Sequence, residues 1–151
     1  MQCVHVAMNR GLVIANVLSG VLFAAFAVLQ LNDTNPEIYH QPSVIDAWSW
    51  VIFYALVAML FFLGAFRHVP WWCLGLGALF CVYEMVTTAP GLYDNLFNHD
   101  SFDITGSSMA PTRSYVELSR EFLGALIALS GLGFLAWQKK KKASASETAE
   151  S

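Results

Sequence analysis

Four apolar runs, each long enough to cross a bilayer, constrain this chain more than any other feature. They lie at about 11–31, 44–66, 69–89 and 115–137. About 20 helical residues span the hydrocarbon core. Backbone polar groups in lipid must find partners inside their own segment, so each run is expected to be a helix. Composition agrees with this. Hydrophobic residues make up 56% of the chain and charged residues 13%. A soluble domain carries about 25% charged residues. A chain of 151 residues cannot hide that much apolar surface in a core of its own. The expected fold is an all-α membrane protein, a four-transmembrane-helix bundle forming one domain over 1–138. A basic and then disordered tail is expected over 139–151, where the composition turns to Ser, Ala and Glu.

The first run has features of a cleaved leader: Arg10 precedes it and Ala25-Phe26-Ala27 lies within it. It is longer than the 7–15 residue apolar region of such a leader, so a retained helix is expected. The turn at Arg67 and His68 is short, which makes helices two and three antiparallel neighbours. Residues 90–114 read as a longer acidic loop.

Basic residues set the expected orientation. With the N-terminus inside, Arg10, Arg67 and the four lysines at 139–142 are cytoplasmic, while Arg113 lies in an outer loop. Both termini are therefore expected in the cytoplasm. The lysine run reads as an anchor drawn to anionic lipid. Trp71, Trp72 and Trp137 at one boundary, and Trp48 and Trp50 at the other, read as aromatic belts. No basic patch interleaves with aromatics, so nucleic acid is not an expected partner. The expected partners are membrane lipid and a second membrane protein or another copy of the chain.

The polar residues gather at the outer face. Gln30, Asn32 and Asp33 close the first helix there, and Asp46 opens the second. Glu84 lies below the outer end of the third, and Glu117, Arg120 and Glu121 open the fourth. Ionisable residues inside a membrane are costly and face the bundle interior or a water-filled cavity. Helical spacing puts Asn16, Gly20, Ala27 and Gln30 on one stripe of the first helix, with Phe23 between them. It groups Cys73, Gly77, Phe80, Glu84 and Thr87 on the third, and Glu117, Glu121, Gly124, Ala128 and Gly131 on the fourth. Small residues on these stripes mark close helix contact. A Glu at membrane depth needs a proton or a partner. Arg120 is the one intrahelical cation, so Glu84 and Arg120 are expected to meet.

No cofactor is expected. Asp33, Glu37, Asp46, Glu117 and Glu121, with His40 and His99, offer oxygen-rich ligands of the kind hard cations prefer. Their spacing fits no EF-hand or H-E-x-x-H pattern, and the alternative is a solvated acidic rim. Cys73 and Cys81 have no metal-ligand spacing and read as packing residues. Asn32-Asp33-Thr34 matches a glycosylation sequon but sits at the membrane boundary. No G-x-S-x-G, P-loop or dinucleotide-binding pattern occurs.

The segment 16–36, NVLSGVLFAAFAVLQLNDTNP, resembles the first helix of the transmembrane protein 220 family, which ends in Q-x-N-D-P. Gln30, Asn32 and Asp33 match that signature, and Thr34 stands in place of the proline. Arg120, Glu121 and Gly124 resemble the family's R-E-x-x-G pattern in a late helix. The resemblance implies a small multi-spanning membrane protein and carries no established activity with it. Three functions fit the residues. One is a binding module whose outer polar pocket holds a small polar molecule, a lipid headgroup or a cation. Another is a structural or assembly protein in which the charges order the bundle. The third is a membrane enzyme using paired carboxylates, with Glu84, Glu117 and Glu121 as acid and base.

Overall fold

The computed structural model describes residues 10–32, 43–67, 69–99, 101–104 and 113–150. Among these residues the secondary structure is helical. Helix α1 spans Arg10–Leu29 and ends in a 3-10 turn, Gln30–Asn32. Helices α2, α3 and α4 span Val44–Phe66, Trp71–Phe97 and Ser114–Glu150. All four contain a segment long and apolar enough to cross a membrane. The protein is an integral, multi-pass membrane protein.

Each helix end has a local cause. Ser43 caps α2, its side chain accepting from the Asp46 N–H at 3.3 Å, the kind of acceptor an N-cap supplies. Pro70 stands at the N-cap of α3, where a missing N–H costs nothing. Two ends depart from expectation. Helix α3 passes Ala89 and runs through Pro90 to Phe97. Proline is tolerated in membrane helices because neighbouring groups re-satisfy the backbone, and here Gly91 lets α3 lie flush on Leu118 of α4. Residues 90–97 are therefore helix and not loop. Helix α4 passes Trp137 and continues to Glu150, where a disordered tail was expected. Lys, Ala and Glu are strong helix formers even without an apolar face.

The helices pack as two pairs, α1 on α2 and α3 on α4, and the pairs meet where α2 approaches α4. Small residues make the contacts within pairs close. A Cβ added at Gly20 would lie 2.7 Å from the Phe62 ring, and one at Gly77 would lie 2.8 Å from Leu132. On α3 the buried residues Leu74, Cys81, Thr88 and Asn95 recur every seven positions, the repeat of left-handed helix packing. The expected closeness of α2 and α3 holds only through side chains. Phe80 stacks on Phe53 with centroids 4.4 Å apart and meets Trp50 edge-on at 5.7 Å. These rings hold the two backbones apart. The seam between the pairs is built from large side chains set into glycine notches. Tyr54 lies against Gly124, Phe23 and Phe61 against Gly131, and Leu135 against Gly64.

The rings also fix the register. With Phe80 beside Trp50 and Phe53, the start of α2 at Val44 stands level with the stretch around Thr87. Helix α3 therefore extends past it by roughly ten residues, about 15 Å at the helical rise. Gly91 against Leu118 sets the first turns of α4 beside that overhang. The end of the bundle that carries the acids thus has a tip where, among the described residues, the last turns of α3 pack on the first turns of α4.

Candidate functional site at the acidic end

The register divides the residues read as one cluster into two levels. The lower level holds Asp46, Glu84 and, by its place on α1, Gln30. The tip holds Glu117 and Arg120; Glu121 follows them on α4, and Gly124 lies against Tyr54. Asn32 closes the turn after α1, and Asp33 lies outside the described residues, as do Glu37 and His40.

The tip is held by a polar knot that the sequence reading did not contain. Asn95 is fully buried. Its Nδ2 donates to the Asp103 carbonyl oxygen at 2.7 Å and to Ser119 Oγ at 2.9 Å. Its Oδ1 accepts from the Asp103 N–H at 3.0 Å. One amide thereby ties the segment after α3 to both helices and leaves little of its bonding capacity unused. Arg113 adds an ion pair to Asp103 at 3.6 Å. Arg120 Nε donates to the Ile104 carbonyl oxygen at 2.8 Å. Glu117 is buried and Glu121 half-buried. The stripe read from the sequence, through Cys73, Gly77, Phe80, Glu84 and Thr87, lies one position round from the buried one, Leu74, Cys81, Thr88 and Asn95, on which Asn95 follows Thr88 by seven residues.

The expected meeting of Glu84 with Arg120 does not occur. By register Arg120 stands beyond Glu84 toward the tip, because α3 continues past Pro90, and its Nε is committed to Ile104. Among the described residues no ion pair reaches the Glu84 carboxylate. The charge that acts on it is another carboxylate, Asp46 of α2. Glu84 lies half-buried on the flank of α3 toward α2, one position round from the buried stripe. The Thr87 and Thr88 hydroxyls donate to its backbone oxygen at 3.0 and 2.6 Å. Asp46 also sits in the first turn of α2, where the helix dipole favours a negative charge.

One residue of the lower level was misplaced by the sequence. Trp50 was read as part of a boundary belt, yet only 2% of it is exposed. It stacks on Tyr54 at 5.4 Å, one turn from Asp46. Its indole N–H is buried with no hydrogen-bond partner. Buried polar groups are paired in the large majority of cases, so such a donor calls for an explanation.

These contacts lie in a chain whose kinship is shown by comparison. A family model described as "Transmembrane family 220, helix" matches residues 22–137. The chain belongs to transmembrane family 220. Searches of curated proteins and of solved structures returned no match. The family 220 match runs from within α1 to the apolar end of α4, so it takes in both levels of the acidic end.

It stops short of a second polar contact, at the basic end. Asn16 of α1 and Gln138 of α4 are 1% and 3% exposed. They exchange two hydrogen bonds, Asn16 Nδ2 to Gln138 Oε1 at 3.0 Å and Gln138 Nε2 to Asn16 Oδ1 at 2.8 Å. Beside them Lys139 Nζ donates to the Val69 carbonyl oxygen at 2.6 Å and lies 4.8 Å from the Trp71 ring centroid. This family 220 bundle is closed by amides at one end. At the other the register sets two carboxylates, Asp46 and Glu84, at one level on neighbouring helices.

Proposed function

We propose that this protein is a membrane-embedded binding module that accepts a positively charged group between Asp46 and Glu84. The observation that carries the reading is the register set by Phe80 on Trp50 and Phe53, which brings Asp46 of α2 and Glu84 of α3 to one level, where Glu84 sits within a membrane helix with no ion-pair partner among the described residues. Two carboxylates so placed are stabilised by a cation between them or by a proton. An ionisable group inside a membrane span is a functional candidate by default.

A thermal-shift series on the purified protein tests this, with ethanolamine, spermidine, sodium and calcium as probes. At a ligand concentration about a hundredfold above Kd, binding stabilises the folded state by roughly 2.7 kcal/mol. At least one cation is expected to raise the melting midpoint of the wild-type protein, and Glu84→Gln is expected to abolish the rise. If no probe stabilises the protein and Glu84→Gln behaves as wild type, the reading fails.

A structural role is the second reading, and the Asn95 knot favours it for the tip. There Asn95, Ser119, Asp103 and Arg120 bond to one another or to backbone. On this view Arg120 orders the segment around Ile104 and takes no part in binding.

A further inference from the structure

The orphaned indole N–H belongs to Trp50, one turn deeper on α2 than Asp46. In a helix, side chains lean toward the N-terminus. Helix α2 begins at the acidic end, so Trp50 leans outward, toward Asp46. Helix α3 runs the other way, so Glu84 leans inward, toward the layer where Trp50 meets Phe80. The carboxylates and the indole thus converge from two helices. Asp46 and Trp50 are four residues apart, about 6 Å along the helix.

We infer that the site, on the reading proposed above, takes a phospholipid with a primary-ammonium headgroup, held by its ammonium at Asp46 and Glu84 and by an ester carbonyl at the Trp50 indole N–H. The order of the protein groups along the membrane normal matches the ammonium, ester and acyl levels of the lipid, and the phosphate between the first two would face the headgroup water. Charged acceptors lie outermost, a neutral donor lies one turn deeper, and exposed apolar residues of α2 and α3 such as Ile52, Leu56, Leu76 and Leu79 lie below. An ammonium donates three hydrogen bonds, which two carboxylates can accept, and bonds between charged partners are the strong ones. The indole nitrogen is donor-only, so its partner must be an acceptor, and the ester carbonyl supplies one. The N–H is covered in this structure. The lipid must therefore displace a covering side chain, and the Trp50–Phe80 edge contact is the one on the path from Glu84.

Native mass spectrometry of the full-length protein tests this with two added lipids, phosphatidylethanolamine and diacylglycerol of the same chains. Wild type is expected to retain phosphatidylethanolamine about tenfold better than diacylglycerol. Asp46→Asn with Glu84→Gln is expected to erase that preference. Trp50→Phe keeps a ring in place and is expected to weaken both lipids severalfold while leaving their ratio unchanged. Equal retention of the two lipids by wild type would overturn the inference, and so would unaltered retention by Trp50→Phe. Soluble ethanolamine separates the two levels of the argument. If it stabilises wild type while the lipids are not discriminated, the cation site stands and the lipid assignment falls. If neither it nor any other cation of the series does, and the lipids are not discriminated either, both fall.

Discussion

The amide pair at the basic end permits a quantitative prediction. Asn16→Leu removes both hydrogen bonds between α1 and α4 and leaves the Gln138 amide buried without its partner. A buried polar group stranded in this way is penalised by about 1–3 kcal/mol. Gln138→Met strands Asn16 equally. Hydrogen bonds between membrane helices average ~0.6 kcal/mol and reach ~1.7 kcal/mol in double-mutant cycles. Two of them place the coupling between Asn16 and Gln138 at roughly 1–3 kcal/mol. The double variant leaves neither group stranded, so it should be more stable than the sum of the single losses implies. Reversible unfolding of all four proteins in mixed micelles, titrated with a denaturing detergent, measures the cycle. A coupling within ~0.3 kcal/mol of zero, the ordinary error of additivity, would refute the reasoning and reduce the pair to a coincidence of packing.

Three other outcomes are expected. Gly91→Ala drives a methyl group into Leu118, at its Cβ, and overpacking of this kind is destabilising by about 1–3 kcal/mol; Leu118→Gly, which removes that atom, should recover part of the loss, as read by melting midpoint. Asn95→Ala unties the segment around Asp103 from both helices, so hydrogen exchange at 101–104 should accelerate at least tenfold while the exchange of α1 and α2 stays unchanged. The basic residues at one end and the acids at the other predict both termini in the cytoplasm. In a variant without native cysteines, an impermeant thiol reagent applied to intact cells should label a cysteine at Ser101 and spare one at Ser144, and the opposite pattern would invert the topology.

The spans were legible because hydropathy over 20 residues is a collective signal that single residues cannot disturb. The α1 stripe was legible for the same reason: Asn16, Gly20, Phe23 and Ala27 are the buried residues of that helix. The end of α3 was not legible. Pro90 and Gly91 read as terminators, whereas packing on Leu118 carries the helix through them. That error brought Arg120 to the level of Glu84, so the expected ion pair followed from a wrong helix length. Trp50 was hidden because an aromatic residue near a helix end fits both a lipid belt and a core. Gln138 stood just past the fourth apolar run with no role assigned, and nothing local distinguishes a flanking amide from one that crosses the bundle to Asn16.

The two kinds of helix contact have a consequence for how the chain comes together. Within each pair the helices pack along their length, with Phe62, Leu132 and Leu118 set against glycines of the partner helix; across the seam the contact is sparser and is made by Tyr54, Phe23, Phe61 and Leu135. The first pair is complete once residue 66 is in the membrane, before any of α3 exists. It can therefore form as the chain emerges and wait for its counterpart. The stretch at 67–70 joins the two hairpins, with Val69 buried near Gly64 and its carbonyl oxygen accepting from Lys139. Divided there and produced as separate fragments, the halves are expected to reassemble in the bilayer, with the notches at Gly64, Gly124 and Gly131 serving as the lock that recognises the missing piece.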